Sequence, residues 1–233
     1  MGIDMKVMLF GATGMVGQGV LRECLLDPGV EQVLSIGRSL IGPQHPKLRE
    51  FMQADLFNLA PIEKQLQGFD ACFYCLGVSS VGMTEEAYRR VTYDLTLTVA
   101  RTLAQLNPGM AFVYVSGAGT DSTERGRRMW ARVKGATENV LLRLPFKAAY
   151  MFRPGAIVPL HGITSKTLAY RIIYALARPF WRPLQAAFPQ AITTTEQVGR
   201  AMLHAARAGA PKTILESADI NAAQSNDTVT GQG

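Results

Sequence analysis

The sequence predicts an α/β fold, a doubly wound parallel sheet with helices on both faces. Three observations carry this. Short apolar runs that read as strands alternate with longer stretches of helical period. The strand-like runs are apolar throughout, as in strands buried on both faces. The first of them runs straight into a glycine-rich turn that opens a helix. A chain of 233 residues suits one domain, and with 48% hydrophobic and 18% charged residues it can bury a sizeable core. That composition excludes a disordered chain, a coiled coil and a collagen-like repeat.

Element by element, Lys6–Phe10 reads as the first strand and Met15–Leu26 as the first helix. Glu31–Ile36, Leu48–Gln53 and Ala71–Leu76 are the second, third and fourth strands. Glu85–Leu106 has helical spacing, with Val91, Leu95, Val99, Leu103 and Leu106 on one face. Met110–Val115 is the fifth strand. Arg127–Leu144 is helical, with Val133, Thr137, Val140 and Leu141 on one side, and Lys147–Phe152 is the sixth strand. Beyond Gly155 the rhythm loosens. A helical stretch over Thr167–Ala177 is followed by Pro179, Pro183 and Pro189. A helix over Glu196–Ala208, a last strand over Lys212–Glu216 and a polar tail from Ala218 that reads as frayed complete the chain. The expected organisation is a single domain over 1–233, with 155–195 forming a small substrate-side lobe or lid.

The net charge of +6 favours anionic partners without choosing among them. No stretch approaches the ~20 apolar residues of a transmembrane span. The N-terminus lacks a basic leader and a small-residue cleavage site. Three cysteines, Cys24, Cys72 and Cys75, form an odd, sparse set that suits a reducing compartment, so a cytoplasmic protein is expected. Cys72 and Cys75 fall on opposite faces of a strand and read as core. His45, His161 and His204 are far apart, and no metal site is expected.

The turn after the first strand reads Gly11-Ala-Thr-Gly14-Met-Val-Gly17. Gly11 permits the tight turn, Gly14 lets a pyrophosphate approach the backbone, and Gly17 lets the helix pack close to the strand. The helix N-terminus then turns free N–H groups and partial positive charge toward phosphate. No Lys-Ser or Lys-Thr pair follows, which excludes a Walker A loop. The prediction is a Rossmann-type NAD(P)-binding domain. About 20 residues beyond such glycines an NAD binder carries an acid for the ribose 2′-hydroxyl. Here the segment is Ser35-Ile36-Gly37-Arg38-Ser39, with no acid. Arg38 offers a guanidinium suited to a 2′-phosphate, so NADP(H) is preferred over NAD(H).

The G-x-x-G-x-x-G spacing resembles the extended and atypical short-chain dehydrogenase/reductase superfamily, which includes NAD-dependent epimerase/dehydratase-like proteins. Within it the chain most resembles the Tat-interacting-protein-like atypical reductases, on Cys75-Leu76-Gly77, Val91-Thr-Tyr-Asp94, Val133-Lys134-Gly135 and Ile214-Leu215-Glu216. The resemblance spans about Val7 to Asp219. It implies that Gly11, Thr13, Gly14, Met15, Val16 and Gly17 hold the pyrophosphate. It implies that Asp55, beside Leu56, receives the adenine amino group. It also implies that Leu76 and Gly77 line the passage of the cofactor's ribose, and that the Arg153-Pro154-Gly155 turn, with Ala156 and Ile157, faces the nicotinamide.

The superfamily's chemistry uses a Ser and a Tyr-x-x-x-Lys pair, with Tyr and Lys one above the other on a helix. The Ser orients the carbonyl and the Tyr transfers the proton. The Lys holds the nicotinamide ribose and lowers the Tyr pKa. The resemblance implies Ser116 and Lys134 in two of these roles. The third position is Trp130, four residues before Lys134, and no tyrosine lies between Tyr114 and Tyr150. An indole N–H donates a hydrogen bond and does not practically ionise. Thr92 stands where the superfamily often has a structural Asn.

The segment Thr167–Leu184 mixes Leu168, Ile172, Leu176, Phe180 and Trp181 with Arg171, Arg178 and Arg182. A lid over an apolar substrate and an anionic membrane surface both fit it. No nucleic-acid-binding motif is present. Three functional readings stay open: an NADP(H)-dependent reductase of an apolar carbonyl compound, an NADPH-sensing regulatory or partner-binding module without turnover, and a peripheral membrane protein that uses the basic segment. The superfamily often dimerises through helices here at about 85–106 and 127–144, which makes a homodimer a further expectation.

Overall fold

A computed structural model describes residues 4–42, 44–163, 188 and 190–223. The predicted helix over Thr167–Ala177 and the basic segment Thr167–Leu184 lie outside them. The chain alternates strand and helix as the apolar pattern requires. Strand β1 (Met5–Phe10) leads to helix α1 (Met15–Leu26), β2 (Val30–Gly37) and β3 (Leu48–Met52). A 3₁₀ turn over Ala60–Leu66 precedes β4 (Ala71–Tyr74). The predicted helix over Glu85–Leu106 is continuous but not uniform. It consists of α2 (Glu85–Arg89), a π turn (Arg90–Asp94) and α3 (Leu95–Leu106). Thr84 caps it, its Oγ1 accepting from the Ala87 N–H at 3.2 Å. Then follow β5 (Ala111–Val115), α4 (Met129–Leu141) and β6 (Ala148–Arg153).

Seven strands form one sheet in the order β3-β2-β1-β4-β5-β6-β9, where β9 is Ile214–Glu216 and every pairing is parallel. The order reverses direction between β1 and β4, the switch point at which ligands of such sheets bind. The registers set the strand ends in a row: Phe10 lies beside Ile36 and Tyr74, Val115 beside Phe152, and Arg153 beside Glu216. The loops that leave these ends share one edge of the molecule.

Two cores cover the sheet's faces, as period-two strands demand. Val7, Leu9, Phe73, Val113 and Phe152 pack under α1 and the late helix α5 (Thr195–Ala208). Met8, Phe10, Cys72, Tyr74, Phe112 and Met151 pack under α3 and α4 with Leu97, Leu103 and Leu141. Cys72 and Cys75 do fall on opposite faces, and all three cysteines are free. Between α1 and α5 the buried Glu23 meets Arg22 at 2.5 Å and Arg200 at 3.1 Å.

Two features were hidden in the sequence. A second, two-stranded parallel sheet pairs β7 (Ala156–Val158) with β8 (Ile192–Thr194), just past the Arg153-Pro154-Gly155 turn. The tail read as frayed from Ala218 begins instead with a helix, α6 (Ser217–Ala222). Its first turn is closed by the Glu216 N–H donating to Asp219 Oδ2 at 2.9 Å, and Ile220 is fully buried. No helix among the described residues is long and apolar enough to cross a membrane.

Candidate cofactor and active site

The glycine turn is shaped by close approach. Gly11 has φ +84°, and a Cβ there would stand 2.7 Å from the Cys75 carbonyl, so the end of β1 lies directly against the end of β4. A Cβ on Gly17 would stand 2.1 Å from the Gly11 oxygen, which fixes how near α1 comes to the turn. The Gly14 N–H donates to the Gly11 carbonyl at 2.9 Å, and Gln18 Nε2 donates to the Thr13 carbonyl at 3.2 Å. Helix α1 has no side-chain cap at Gly14 and no acidic residue in its first turn. Its first N–H groups, from Met15, Val16 and Gly17, therefore face outward as an anion cradle. This turn fits a dinucleotide pyrophosphate.

At the β2 end, Arg38 is exposed and makes no hydrogen bond or ion pair with any described residue. The nearby Gln53 N–H donates to the Gly37 carbonyl at 2.9 Å, and the Glu50 carboxylate accepts from the Ile41 N–H at 2.6 Å. Asp55, past β3, is exposed and uses one carboxylate oxygen to accept from the Phe57 N–H at 2.9 Å, leaving the second oxygen open. Leu56 is buried in the core beneath. Leu76 is half-buried and Gly77 exposed at the end of β4.

At the β5 end, Ser116 is buried. Its N–H and its Oγ both donate to the Phe152 carbonyl, at 2.8 and 3.1 Å. Its own carbonyl accepts from Lys134 Nζ. Trp130, Lys134 and Glu138 follow at four-residue spacing on α4 and share a face. Trp130 is half-buried, and a Cβ on Gly119 would lie 3.5 Å from its Cη2. A Cβ on Gly117 would lie 4.0 Å from both Lys134 Nζ and the Pro154 oxygen, which places the lysine between β5 and the turn after β6. The helix is pressed onto the loop before it: a Cβ on Gly135 would lie 1.8 Å from the Asp121 oxygen. Burial pushes the Lys134 ammonium down to about 8, against the opposing pull of Glu138.

The turn after β6 is held from both sides. The Pro154 carbonyl accepts from the Ala118 N–H at 2.9 Å, and the Gly155 N–H donates to Ser217 Oγ at 2.8 Å. Ala156 is exposed at the edge and Ile157 is buried. Arg153 Nε donates to both oxygens of Glu138 at 3.1 Å, while Nη2 reaches Glu138 again and Ser122 Oγ at 2.5 Å. Thr92 is buried in the π turn that packs on α4, its carbonyl accepting from Thr96 Oγ1 at 2.7 Å.

The row of strand ends thus brings the predicted residues to one edge in three groups: the glycine turn with Leu76 and Gly77, Arg38 with Asp55 and Leu56, and Ser116 with Trp130, Lys134 and Pro154. Tyr74, Tyr88 and Tyr114 are buried, and burial raises the pKa of each. Sequence reasoning missed Glu138 and the Arg153 side chain. A charge four residues beyond Lys134, among inward-facing Thr137 and Leu141, was the available signal, because a buried carboxylate needs a partner.

Fold and site together define an NAD(P)-binding Rossmann protein of the short-chain dehydrogenase/reductase type. The model of the NAD dependent epimerase/dehydratase family matches residues 7–124, just over half of the chain. The chain belongs to that family. It is 26% identical over 230 residues to the mitochondrial protein FMP52 of Chaetomium globosum, covering 91% of this chain and 94% of that one. It is 28% identical over 155 residues to HTATIP2 of Rattus norvegicus, covering 66% of this chain and 63% of that one. Among solved structures it resembles the Bordetella bronchiseptica enzyme WbmF in complex with NAD+, with a TM-score of 0.64 and 16% identity over 100% of this chain and 81% of that one. That likeness is one of fold.

The comparisons correct the cytoplasmic expectation. FMP52 relatives from Chaetomium globosum, Scheffersomyces stipitis and Candida albicans are all named mitochondrial. Sparse free cysteines report redox poise, and redox poise does not give an address within the cell.

Proposed function

We propose that this chain binds NADP(H) in preference to NAD(H) and reduces an apolar carbonyl compound with Trp130 in the place of the superfamily's tyrosine. The observation that carries the reading is Arg38, a guanidinium with no partner among the described residues, at the end of β2 where an NAD binder has an acid. The glycine turn and the uncapped N-terminus of α1 take the pyrophosphate, and Asp55 the adenine amino group. Lys134, held at the Ser116 carbonyl, takes the nicotinamide ribose. The apolar substrate class is supported by Val78 and Val81 on the loop after β4, which are 49% and 87% exposed at the same edge.

The bound cofactor supplies a hydride. This chain's residues have then to orient the carbonyl and support the negative charge that develops on its oxygen. The Trp130 indole N–H donates a hydrogen bond without giving up its proton. Lys134 brings a positive charge to the same edge and stabilises a developing oxyanion, and the proton that completes the alcohol comes from solvent water. Ser116 takes part after its hydroxyl turns away from the Phe152 carbonyl.

The test is a titration of the protein with NADPH and NADH, read by energy transfer from indole to reduced nicotinamide, with Trp130→Phe as control. NADPH is expected to bind more tightly. Arg38→Ala should remove that preference, weakening NADPH about tenfold to a hundredfold as loss of a charge-assisted contact does, and leave NADH unchanged. Equal affinity for both nucleotides in the parent protein would refute the NADP(H) assignment. A second reading, a cofactor-binding module without turnover, is favoured by Trp130 and by the engagement of the Ser116 hydroxyl with Phe152. NADPH consumption across a panel of aldehydes, ketones and quinones separates the two.

A further inference from the structure

Glu138 is a carboxylate with no exposure, on a helix whose other buried positions include Val133, Thr137 and Leu141. Nothing in the cofactor reading uses it. Its partner Arg153 is 11% exposed in its side chain and spreads its guanidinium over three segments. It forks onto both Glu138 oxygens at 3.1 Å, donates to Ser122 Oγ at 2.5 Å and stands 3.5 Å from Glu216 Oε1. Those partners come from α4, the loop between β5 and α4, and the end of β9. The arginine itself ends β6. One side chain therefore ties α4, which carries Lys134, to the end of β6, the loop after β5 and the end of β9.

Such a pair is a poor device for stability alone. Desolvating two ions offsets their attraction, and apolar residues of similar volume hold a core as well. Its position suggests a different use. Glu138 lies one helical turn beyond Lys134 on the same face, where its charge favours the ammonium that burial disfavours. Arg125, Arg127 and Arg128, ahead of the first turn of α4, are exposed. Arg132 pairs with Glu85 at 2.5 Å, and Asp121 accepts from Thr123 and from the Gly126 N–H. Tyr114 is buried, and burial raises its pKa, so it stays neutral.

We propose that Glu138 and Arg153 are positioning residues for Lys134, clamping its helical turn against the Ser116 carbonyl, with the Glu138 carboxylate one turn along the same helix. The inference rests on the reading of Lys134 as a cofactor contact. It assigns the arginine of the Arg153-Pro154-Gly155 turn a role beyond its backbone. It also makes the C-terminal strand β9, through Glu216, part of the support of the site.

The test has two arms. In the first, lysine Cε signals of ¹³C-labelled protein are followed against pH, with Lys134 assigned by its loss in Lys134→Arg. Glu138→Gln should move the Lys134 midpoint down by at least about half a pH unit. In the second, NADPH affinity and thermal unfolding are measured together for Glu138→Gln and for the double variant Glu138→Leu/Arg153→Met. The double variant removes both charges and so avoids an orphaned arginine. It should remain folded and bind NADPH at least about tenfold more weakly, the scale of one lost charged contact. An unmoved Lys134 midpoint in folded Glu138→Gln, or parental NADPH affinity in the folded double variant, overturns the proposal. Failure of the parent protein to bind NADPH overturns the cofactor reading instead, and the lysine titration still decides the electrostatic half.

Discussion

Lys134 sits where burial and charge pull against each other. It titrates near 8 in the folded chain, lowered mainly by burial, and near its ordinary value of 10.5 when unfolded. Between those values the unfolded chain binds more protons, so stability rises as pH climbs through that window. Below pH 8 the ammonium is a standing penalty. Lys134→Met should remove it and make the protein more stable at pH 7 by up to ~3 kcal/mol, less ~1 kcal/mol for the lost hydrogen bond to Ser116. The gain should shrink toward zero as pH approaches 10. Urea unfolding at pH 7 and pH 10 reads this directly. A variant less stable than the parent at pH 7, or a gain of the same size at both pH values, would show that burial does not set the lysine's state. A stabilising loss of this residue is what a site maintained for binding, at some expense of stability, produces.

At the scale of the element, α4 is the helix on which the site is read. Trp130, Lys134 and Glu138 lie along one face, and Gly135 lets that face press onto the loop at Asp121. The geometry of a Tyr-x-x-x-Lys pair is retained while its proton donor is missing. Trp130→Tyr should therefore restore a general acid beside a lysine already in place, raising NADPH-dependent carbonyl reduction by ~10²–10⁴-fold. Steady-state rates with the aldehyde, ketone and quinone panel check it. A tyrosine variant that binds NADPH and gains no rate would mean that the edge is not organised around a carbonyl. Helix α1 was legible in the sequence at both ends because Gly14 starts it and its apolar period is regular. The strands were legible because their apolar runs are bounded by turns. Strands β7 and β8, of three residues each, are too short to show a period. The helix α6 was hidden because its apolar content is small and its start depends on a reciprocal Glu216–Asp219 cap. Arg38 could be singled out because it ends a strand-like run, and Ser116 and Lys134 because the resemblance marks their positions. The direction of the Ser116 hydroxyl could not, since it depends on how β5 and β6 pair.

For the whole molecule, the candidate binding edge is assembled from loops that leave six of the seven strands, with Leu76 and Gly77 following β4. The glycine turn follows β1, Arg38 follows β2, Asp55 follows β3, Ser116 follows β5 and Pro154 follows β6. A dinucleotide laid along that row is in contact with loops from most of the sheet, so its binding free energy is added to global unfolding and not only to one loop. At a hundred times its dissociation constant a ligand that binds only the folded state stabilises by ~2.7 kcal/mol. For a chain of this size that corresponds to a rise in melting temperature of ~5–10 °C. Saturating NADPH should give a shift of that size, NADH at the same concentration a smaller one, and Arg38→Ala should make the two equal. Thermal unfolding at matched nucleotide concentrations measures all three. A shift of the same size with either nucleotide in the parent protein would mean that Arg38 does not read the 2′-phosphate. The positive charge of the chain, +6 overall, would then act only as a general attraction for anions.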